Sequence, residues 1–426
     1  MSDSPHSSHK GFLRRGGVFL ALNFAYSVTE LGFNGVSARL PIGMYGTFWA
    51  LLKVFFIVTA PLMAFQLVVS KEVAAFTIRG ETGLRRAFIE KTGAGIMALA
   101  AVIVIAGFLC SGLIAGLLGI GSRLPVIFLF SAILVYFPIP ILYGIIQGLK
   151  KFYTLGFVQI VWGGGRLVLA LIAVMVFGAG IKTLFAVIII SILLTEIIAC
   201  FPARDILNTP RSPLPSEKMW RAYGLVVPII ASFFLVTMLK NADLVLAKRF
   251  FASGEIDAYA CAVLVGSGFF TLSGIFMVMF PMVSEETARG GNPVVFLVKS
   301  CAAIIVLSSI GIVVAWLVPG LVMRIITIGK VIPGAPELIR YIGIAVTPVS
   351  LVFTMSNYLL ARHTWRFIFI LAGGAALQIV LILLFHRTPL QLLSGVAAAN
   401  VVTCCAMTVY VVIYHRNSSA SFDHAG

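Results

Sequence analysis

Six ionisable residues lie inside apolar runs long enough to cross a bilayer: Glu30, Lys53, Arg166, Glu196, Lys240 and Asp243. An ionisable side chain there costs about 2.5–3.5 kcal/mol on insertion scales, so those that persist face a bundle interior, a partner or a watery cavity. Three are cations. Arg166, Lys53 and Lys240 together would give a cavity positive potential for an anion, and a guanidinium grips an oxyanion through two parallel charge-assisted bonds. Glu30 and Asp243 occupy nearly equivalent places, 15 residues before Tyr45 and 16 before Tyr259. That nominates them as a matched pair of acids able to respond to Na+ or H+. Glu196, five residues from the cytoplasmic end of its run, reads equally well as interfacial.

Each charge also has a purely structural reading. Lys53 is long enough to snorkel to the headgroups or to neutralise Glu30. Lys240 and Asp243, three apart on one helix face, can neutralise each other. Arg166 is harder to explain away, because it sits mid-run behind Gly163, Gly164 and Gly165, which would loosen the helix and make room for an anion.

Other chemistry has little support. The chain has no Gly-x-x-x-x-Gly-Lys-Ser/Thr loop, so no ATPase of its own, and no paired acidic motif or activated nucleophile. We therefore expect no enzyme, catalytic residue, metal site or cofactor. The six cysteines, Cys110, Cys200, Cys261, Cys301, Cys404 and Cys405, all fall in apolar stretches and read as small buried hydrophobes. Gly112-x-x-x-Gly116 reads as a close-packing site between helices.

The composition states what must position these groups. Of 426 residues, 60% are hydrophobic and 11% charged, with mean hydropathy +1.07. A soluble domain carries roughly 25% charged residues. This excludes a soluble enzyme, a nucleic-acid binder and a disordered scaffold. The net charge of +16 would suggest nucleic acid in a soluble chain, but here the basic residues punctuate apolar runs and report topology.

Scanning for runs of about 20 apolar residues gives twelve spans, near 17–38, 44–69, 92–118, 124–147, 153–177, 184–201, 222–247, 258–283, 294–318, 336–361, 367–385 and 392–414. With the N-terminus cytoplasmic, 19 of the 31 basic residues fall on the cytoplasmic side and 9 on the other, which puts both termini in the cytoplasm. The polar stretch around Pro210, Pro213 and Pro215 divides the spans six and six. The expected organisation is a tail at 1–16, an N-lobe at 17–201, a cytoplasmic linker at 202–221, a C-lobe at 222–414 and a second tail at 415–426. The first apolar run lacks the pattern of a cleaved signal peptide.

An internal repeat supports the two halves. At an offset of 214, Tyr45 matches Tyr259, Phe55 and Phe56 match Phe269 and Phe270, Ser70 matches Ser284, Glu72 matches Glu286 and Ala74 matches Ala288. Six spans per half make the copies parallel, an arrangement familiar from alternating-access transporters. The reading is an all-α integral membrane protein of about twelve transmembrane helices in two pseudo-symmetric six-helix lobes.

Several motifs then resemble a known family. Gly43-Met44-Tyr45-Gly46 followed by Val69-Ser70-Lys71-Glu72-Val73-Ala74 is similar to the second span of Wzx-type oligosaccharide flippases. These form the polysaccharide-export branch of the multidrug/oligosaccharidyl-lipid/polysaccharide (MOP) exporter superfamily. Asn241-Ala242-Asp243, Phe280-Pro281-Met282-Val283-Ser284-Glu285, Gln147-Gly148-Leu149-Lys150-Lys151-Phe152, Arg166-Leu167-Val168-Leu169 and Tyr358-Leu359-Leu360-Ala361-Arg362-His363 also fit. Asp257-Ala258-Tyr259 departs from the pattern, which has glycine just before the tyrosine.

The resemblance implies a two-lobed carrier in a bacterial cytoplasmic membrane. It would move a polyprenyl-(pyro)phosphate-linked oligosaccharide between leaflets, with membrane lipids and polysaccharide-assembly proteins as its partners and no nucleic acid. The rival readings are an ion-coupled multidrug exporter of the same superfamily and a non-transporting scaffold or receptor.

Overall fold

In the computed structural model, residues 22, 25–178, 180–215, 223–224, 226–271, 294–362 and 364–423 are described. The expected repeat partners Ser284, Glu286 and Ala288, the Phe280–Glu285 motif and His363 lie outside them, as does most of the N-terminal tail. Among the described residues the regular structure is helical, without strands.

Contacts divide the chain into two compact units. The first comprises 1–41 and 58–230, the second 42–57 and 231–426. Residues 42–57 therefore cluster with the second unit, although their neighbours in sequence belong to the first.

The first unit holds α1 (25–37), α3 (Leu62–Ile78), α4 (Thr82–Leu109), α5 (Ser111–Leu117), α6 (Leu124–Tyr136), α7 (Ile139–Gly148), α8 (Phe152–Phe177), α9 (Ile181–Cys200) and a single turn, α10 (Arg204–Leu207). Pro61 and Pro138 stand at the starts of α3 and α7, where their missing N–H groups are tolerated. Gly144 and Gly148 let α7 pack on the backbone of α3: a Cβ at these positions would lie 2.8 Å from the Gln66 carbonyl oxygen and 2.6 Å from that of Ser70. The proline-rich linker is tied down. Arg86 donates to the Thr209 carbonyl at 2.6 Å, Lys91 to that of Leu214 at 3.3 Å, and the Ser212 N–H to that of Gly83 at 3.3 Å.

The second unit holds α2 (Met44–Thr59), α11 (Val226–Phe250, from Ala231 onward), α12 (Ser253–Thr271), α13 (Val294–Leu317), α14 (Pro319–Ile326), α15 (Ala335–Ala361), α16 (Ile368–Leu384) and α17 (Pro389–Asp423). Its core packs Val236, Leu239, Val352, Tyr358, Leu371 and Met407 from α11, α15, α16 and α17.

Among the described residues eight segments are single spans by length and hydropathy, α6 counting with α7 and α9 with α10. The pair α2 and α3, bent by 42° at Ala60–Pro61, makes a ninth, and α16 is a shorter apolar helix of 17 residues. Large apolar side chains such as Val102, Ile105, Val306 and Phe369 are exposed along these helices, as a lipid solvent permits. The chain is a multi-pass membrane protein.

Three local expectations need correction. The third run is not one helix over 92–118: α4 starts at Thr82, carrying Arg85, Arg86, Glu90 and Lys91, and breaks at Cys110 before α5. Gly112 and Gly116 face open space, with nothing within 4 Å of an added Cβ, so they are not a packing contact. Of the cysteines, Cys261 alone is fully buried, whereas Cys110, Cys200 and Cys405 are exposed and Cys301 and Cys404 half-buried. Hydropathy reports removal from water and cannot tell a protein interior from lipid.

Candidate functional site

Five of the six intramembrane charges form two clusters, one in each unit. In the first, Arg166 is 3% exposed on the middle of α8 and forms an ion pair through Nη2 with Glu30 Oε1 of α1. Its guanidinium lies 4.3 Å from the centroid of the Phe33 ring and 5.3 Å from that of Trp162, where ring quadrupoles favour a cation. Missing side chains bring the two helices together. A Cβ on Gly163 would collide with Thr29 Oγ1 and lie 2.8 Å from the Tyr26 ring, and one on Gly32 would lie 2.8 Å from Leu167.

The glycine triplet does not loosen α8, which runs unbroken from Phe152 to Phe177. Gly163 instead serves as a contact for α1, while Gly165 faces open space. Glu30 is thus neutralised by Arg166, a partner the sequence spacing did not single out. The trace of it in the sequence is Gly163, three positions before the arginine, where helices can approach closely.

The second cluster is built differently. Lys53 of α2 is 2% exposed and Asp243 of α11 is 4% exposed, so neither reaches a headgroup or bulk water. The Tyr259 hydroxyl donates to Asp243 Oδ2 at 3.0 Å, while Oδ1 makes no hydrogen bond. The Lys53 and Asp243 charges act on each other. Among the described residues, however, neither Lys53 nor Lys240 comes within 4.0 Å of a carboxylate oxygen.

Half-buried Lys240 places Nζ 3.9 Å from the centroid of the Phe270 ring. Beside it, Lys240, Asp243, Gly266, Ser267 and Ile342 line a cavity of about 10 Å³, the room one water needs. Two ammonium groups and one carboxylate leave this cluster with excess positive charge. Glu196, half-buried on α9, has an unpaired Oε1 and belongs to neither cluster.

Sequence reasoning missed two participants. Tyr259 was noticed as a repeat marker, yet it supplies the only hydrogen bond from a side chain to Asp243 among the described residues. Asp257, noticed as a departure from the glycine pattern, accepts hydrogen bonds from the Gly43 and Gly46 N–H groups, each at 2.7 Å.

No family model matches this chain, and no curated protein matches it by sequence. Solved structures do resemble it in fold. An inward-facing multidrug-resistance MATE family transporter of the MOP superfamily aligns with a TM-score of 0.73 at 12% identity, covering 91% of this chain and 94% of that one. The lipid II flippase MurJ, in an inward closed conformation, gives 0.68 at 14% identity over 92% and 87%. The eukaryotic MATE transporter AtDTX14 gives 0.66 at 14% identity over 94% and 96%. At these identities the likeness is one of architecture: an all-α membrane fold of about twelve transmembrane helices in two pseudo-symmetric six-helix lobes.

Proposed function

We propose that the chain is a flippase of the MOP type, moving a polyprenyl-(pyro)phosphate-linked oligosaccharide from the inner to the outer leaflet of a bacterial cytoplasmic membrane, both termini in the cytoplasm. One observation carries the reading. The second unit buries Lys53 and Asp243 beside half-buried Lys240, and among the described residues no carboxylate oxygen lies within ion-pair distance of either lysine. An unmatched cation in a low-dielectric interior is costly, and an anionic phosphate would remove that cost. A carrier built for cationic drugs has the opposite need.

Arg166 joins the same reading conditionally. Glu30 takes its Nη2 while Nε has no hydrogen-bond partner, so a two-armed grip on phosphate or an acidic sugar needs exchange, Glu30 letting go through protonation or displacement. Asp243 and Glu30 are then the coupling acids. Two ammonium groups around Asp243 make a poor Na+ cage, so the proton is the better coupling ion.

Reconstitution tests this. Vesicles carrying the protein should flip a fluorescent polyprenyl-pyrophosphate oligosaccharide and leave a cationic dye such as ethidium unmoved. Glu30→Gln and Asp243→Asn should insert and fold, yet lose the pH dependence of flipping. Ethidium export without lipid flipping would establish the multidrug reading instead. Normal flipping with unchanged ion dependence in both variants would make the carboxylates structural.

A further inference from the structure

The residue that breaks the glycine pattern sits where the internal repeat meets its own copy. Asp257 is 214 positions after Gly43, the offset of the repeat, so it stands where the first half has glycine. The two equivalent positions touch. The Gly43 N–H donates to Asp257 Oδ2 and the Gly46 N–H to Oδ1, each at 2.7 Å.

The carboxylate thereby satisfies two donors at the start of α2, where a helix leaves its first N–H groups unpaired and its dipole favours an anion. The backbones could not approach so closely with side chains present. Gly43 has φ +81°, and a Cβ there would lie 2.5 Å from Ser253 Cβ. One on Gly46 would lie 2.6 Å from the Ile256 carbonyl oxygen.

The other end of the same span belongs elsewhere. At Ala60–Pro61 the chain bends by 42°, and α3 continues in the first unit, seated against Gly144 and Gly148. The chain enters the second unit between residues 41 and 42 and leaves it between 57 and 58. So α2 is a segment of the second unit between two crossings, fastened at its start by one buried carboxylate and jointed at its end by a proline.

We propose that Asp257 is a positioning residue for transport, a latch that holds α2 on the second unit in this state and releases it when the carrier changes state, α2 pivoting at Thr59–Pro61. Both bonds end on one carboxylate, one on each oxygen, so swinging that side chain away breaks both at once. The contact is therefore either made or broken, as a two-state element requires. The glycine of the first half offers no acceptor, which gives a physical reason for the second half to depart from its copy at this position. The inference rests on the carrier reading above, though not on the cargo.

Hydrogen exchange reads the two donors directly. In full-length protein in phosphatidylethanolamine–phosphatidylglycerol vesicles, the amides of Gly43–Thr47 should exchange slowly at rest. They should exchange at least about tenfold faster when a proton gradient, a Na+ gradient or a membrane potential drives the carrier, while residues 62–70 stay protected. Asp257→Gly should exchange fast in every condition and flip at least about tenfold more slowly, since an N–H without its partner opens freely. Asp257→Asn keeps one acceptor and should fall between, which covers the case of a glycine variant that does not fold.

Wild-type amides that stay protected under all three driving conditions would overturn the latch, as would an Asp257→Asn protein that exchanges and flips like wild type. A gradient response in a protein that flips no lipid-linked sugar would leave the latch standing and remove the proposed cargo.

Discussion

The two buried charge clusters solve the same problem in opposite ways. In the first unit, Arg166 and Glu30 meet as a closed ion pair, with Phe33 and Trp162 against the guanidinium. In the second, Lys53, Lys240 and Asp243 share a neighbourhood without any N–O approach within 4.0 Å, and Asp243 is held by a tyrosine hydroxyl. The first cluster is neutral in itself. Among the described residues the second carries a surplus positive charge and one unsatisfied carboxylate oxygen. An incoming anion gains more at the second, because nothing must first be released. The first can act only by breaking, which suits a switch better than a primary binding site.

Breaking the closed pair should have the largest effect. Removing one partner of a buried pair strands the other, at about 3–5 kcal/mol. Glu30 is 28% exposed, so Arg166→Ala should fall at the lower end, seen as a reduced unfolding temperature in detergent. Arg166→Lys should recover part of the stability but not the planar guanidinium that could grip a phosphate with two bonds, and flipping should remain impaired. The double variant Glu30→Gln/Arg166→Gln separates the roles. Stability regained without transport marks a working switch, and regained transport marks a structural brace.

The open cluster should respond the other way. Lys53→Met and Lys240→Met keep the stem volume and remove a costly charge, so stability should be unchanged or raised, as when buried ionic groups give way to apolar ones. Flipping of the anionic lipid should nevertheless fall by about tenfold or more, equivalent to about 1.4 kcal/mol of lost binding. Flipping rate and unfolding temperature measured on the same preparations check this. Two methionine variants that flip normally would withdraw the anion site.

The sequence made some of this legible and hid the rest for identifiable reasons. The spans were readable because hydropathy sums over about twenty residues, so the extra turns at the start of α4 and the break at Cys110 shift boundaries without changing the fold. The costly residues were readable as well, since an arginine behind three glycines in an apolar run needs an explanation. The pairing was not. Distance along the chain says nothing about which helix faces which, so the sequence offers Lys53 as a partner for Glu30, whereas the structure pairs it with Arg166.

Roles that depend on neighbours were hidden for the same reason. Gly112 and Gly116 have packing spacing yet face open space, while Gly163, read as loosening the helix, brings α1 onto α8. Asp257 was visible only as an exception, and its acceptors' partners became clear once Gly43 was found beside it.

A single methyl group tests the frame that holds the closed pair. Gly163 and Gly165 are two residues apart on α8, so they point to different sides of the helix. An alanine at 163 would drive its Cβ into Thr29 Oγ1 and the Tyr26 ring, and Thr29 cannot turn aside without losing its 2.7 Å bond to the Tyr26 carbonyl. Helix α1 must then back away, and the Glu30–Arg166 pair lengthens with it. Overpacking of this kind costs about 1–3 kcal/mol.

An alanine at 165 meets nothing within 4 Å. It should stabilise the helix by about 0.5–1 kcal/mol, since glycine loses more backbone freedom on folding than alanine. The two substitutions add the same methyl group to the same helix, so composition and insertion hydropathy are equal and their difference isolates the α1–α8 contact. Thermal unfolding should rank Gly165→Ala above wild type and Gly163→Ala below it. Only Gly163→Ala should also shift the pH dependence of flipping, because it alone disturbs Glu30. Equal melting temperatures for the two variants would mean that α1 does not rest on α8 at Gly163, and the ion pair would lose the scaffold that brings its partners together.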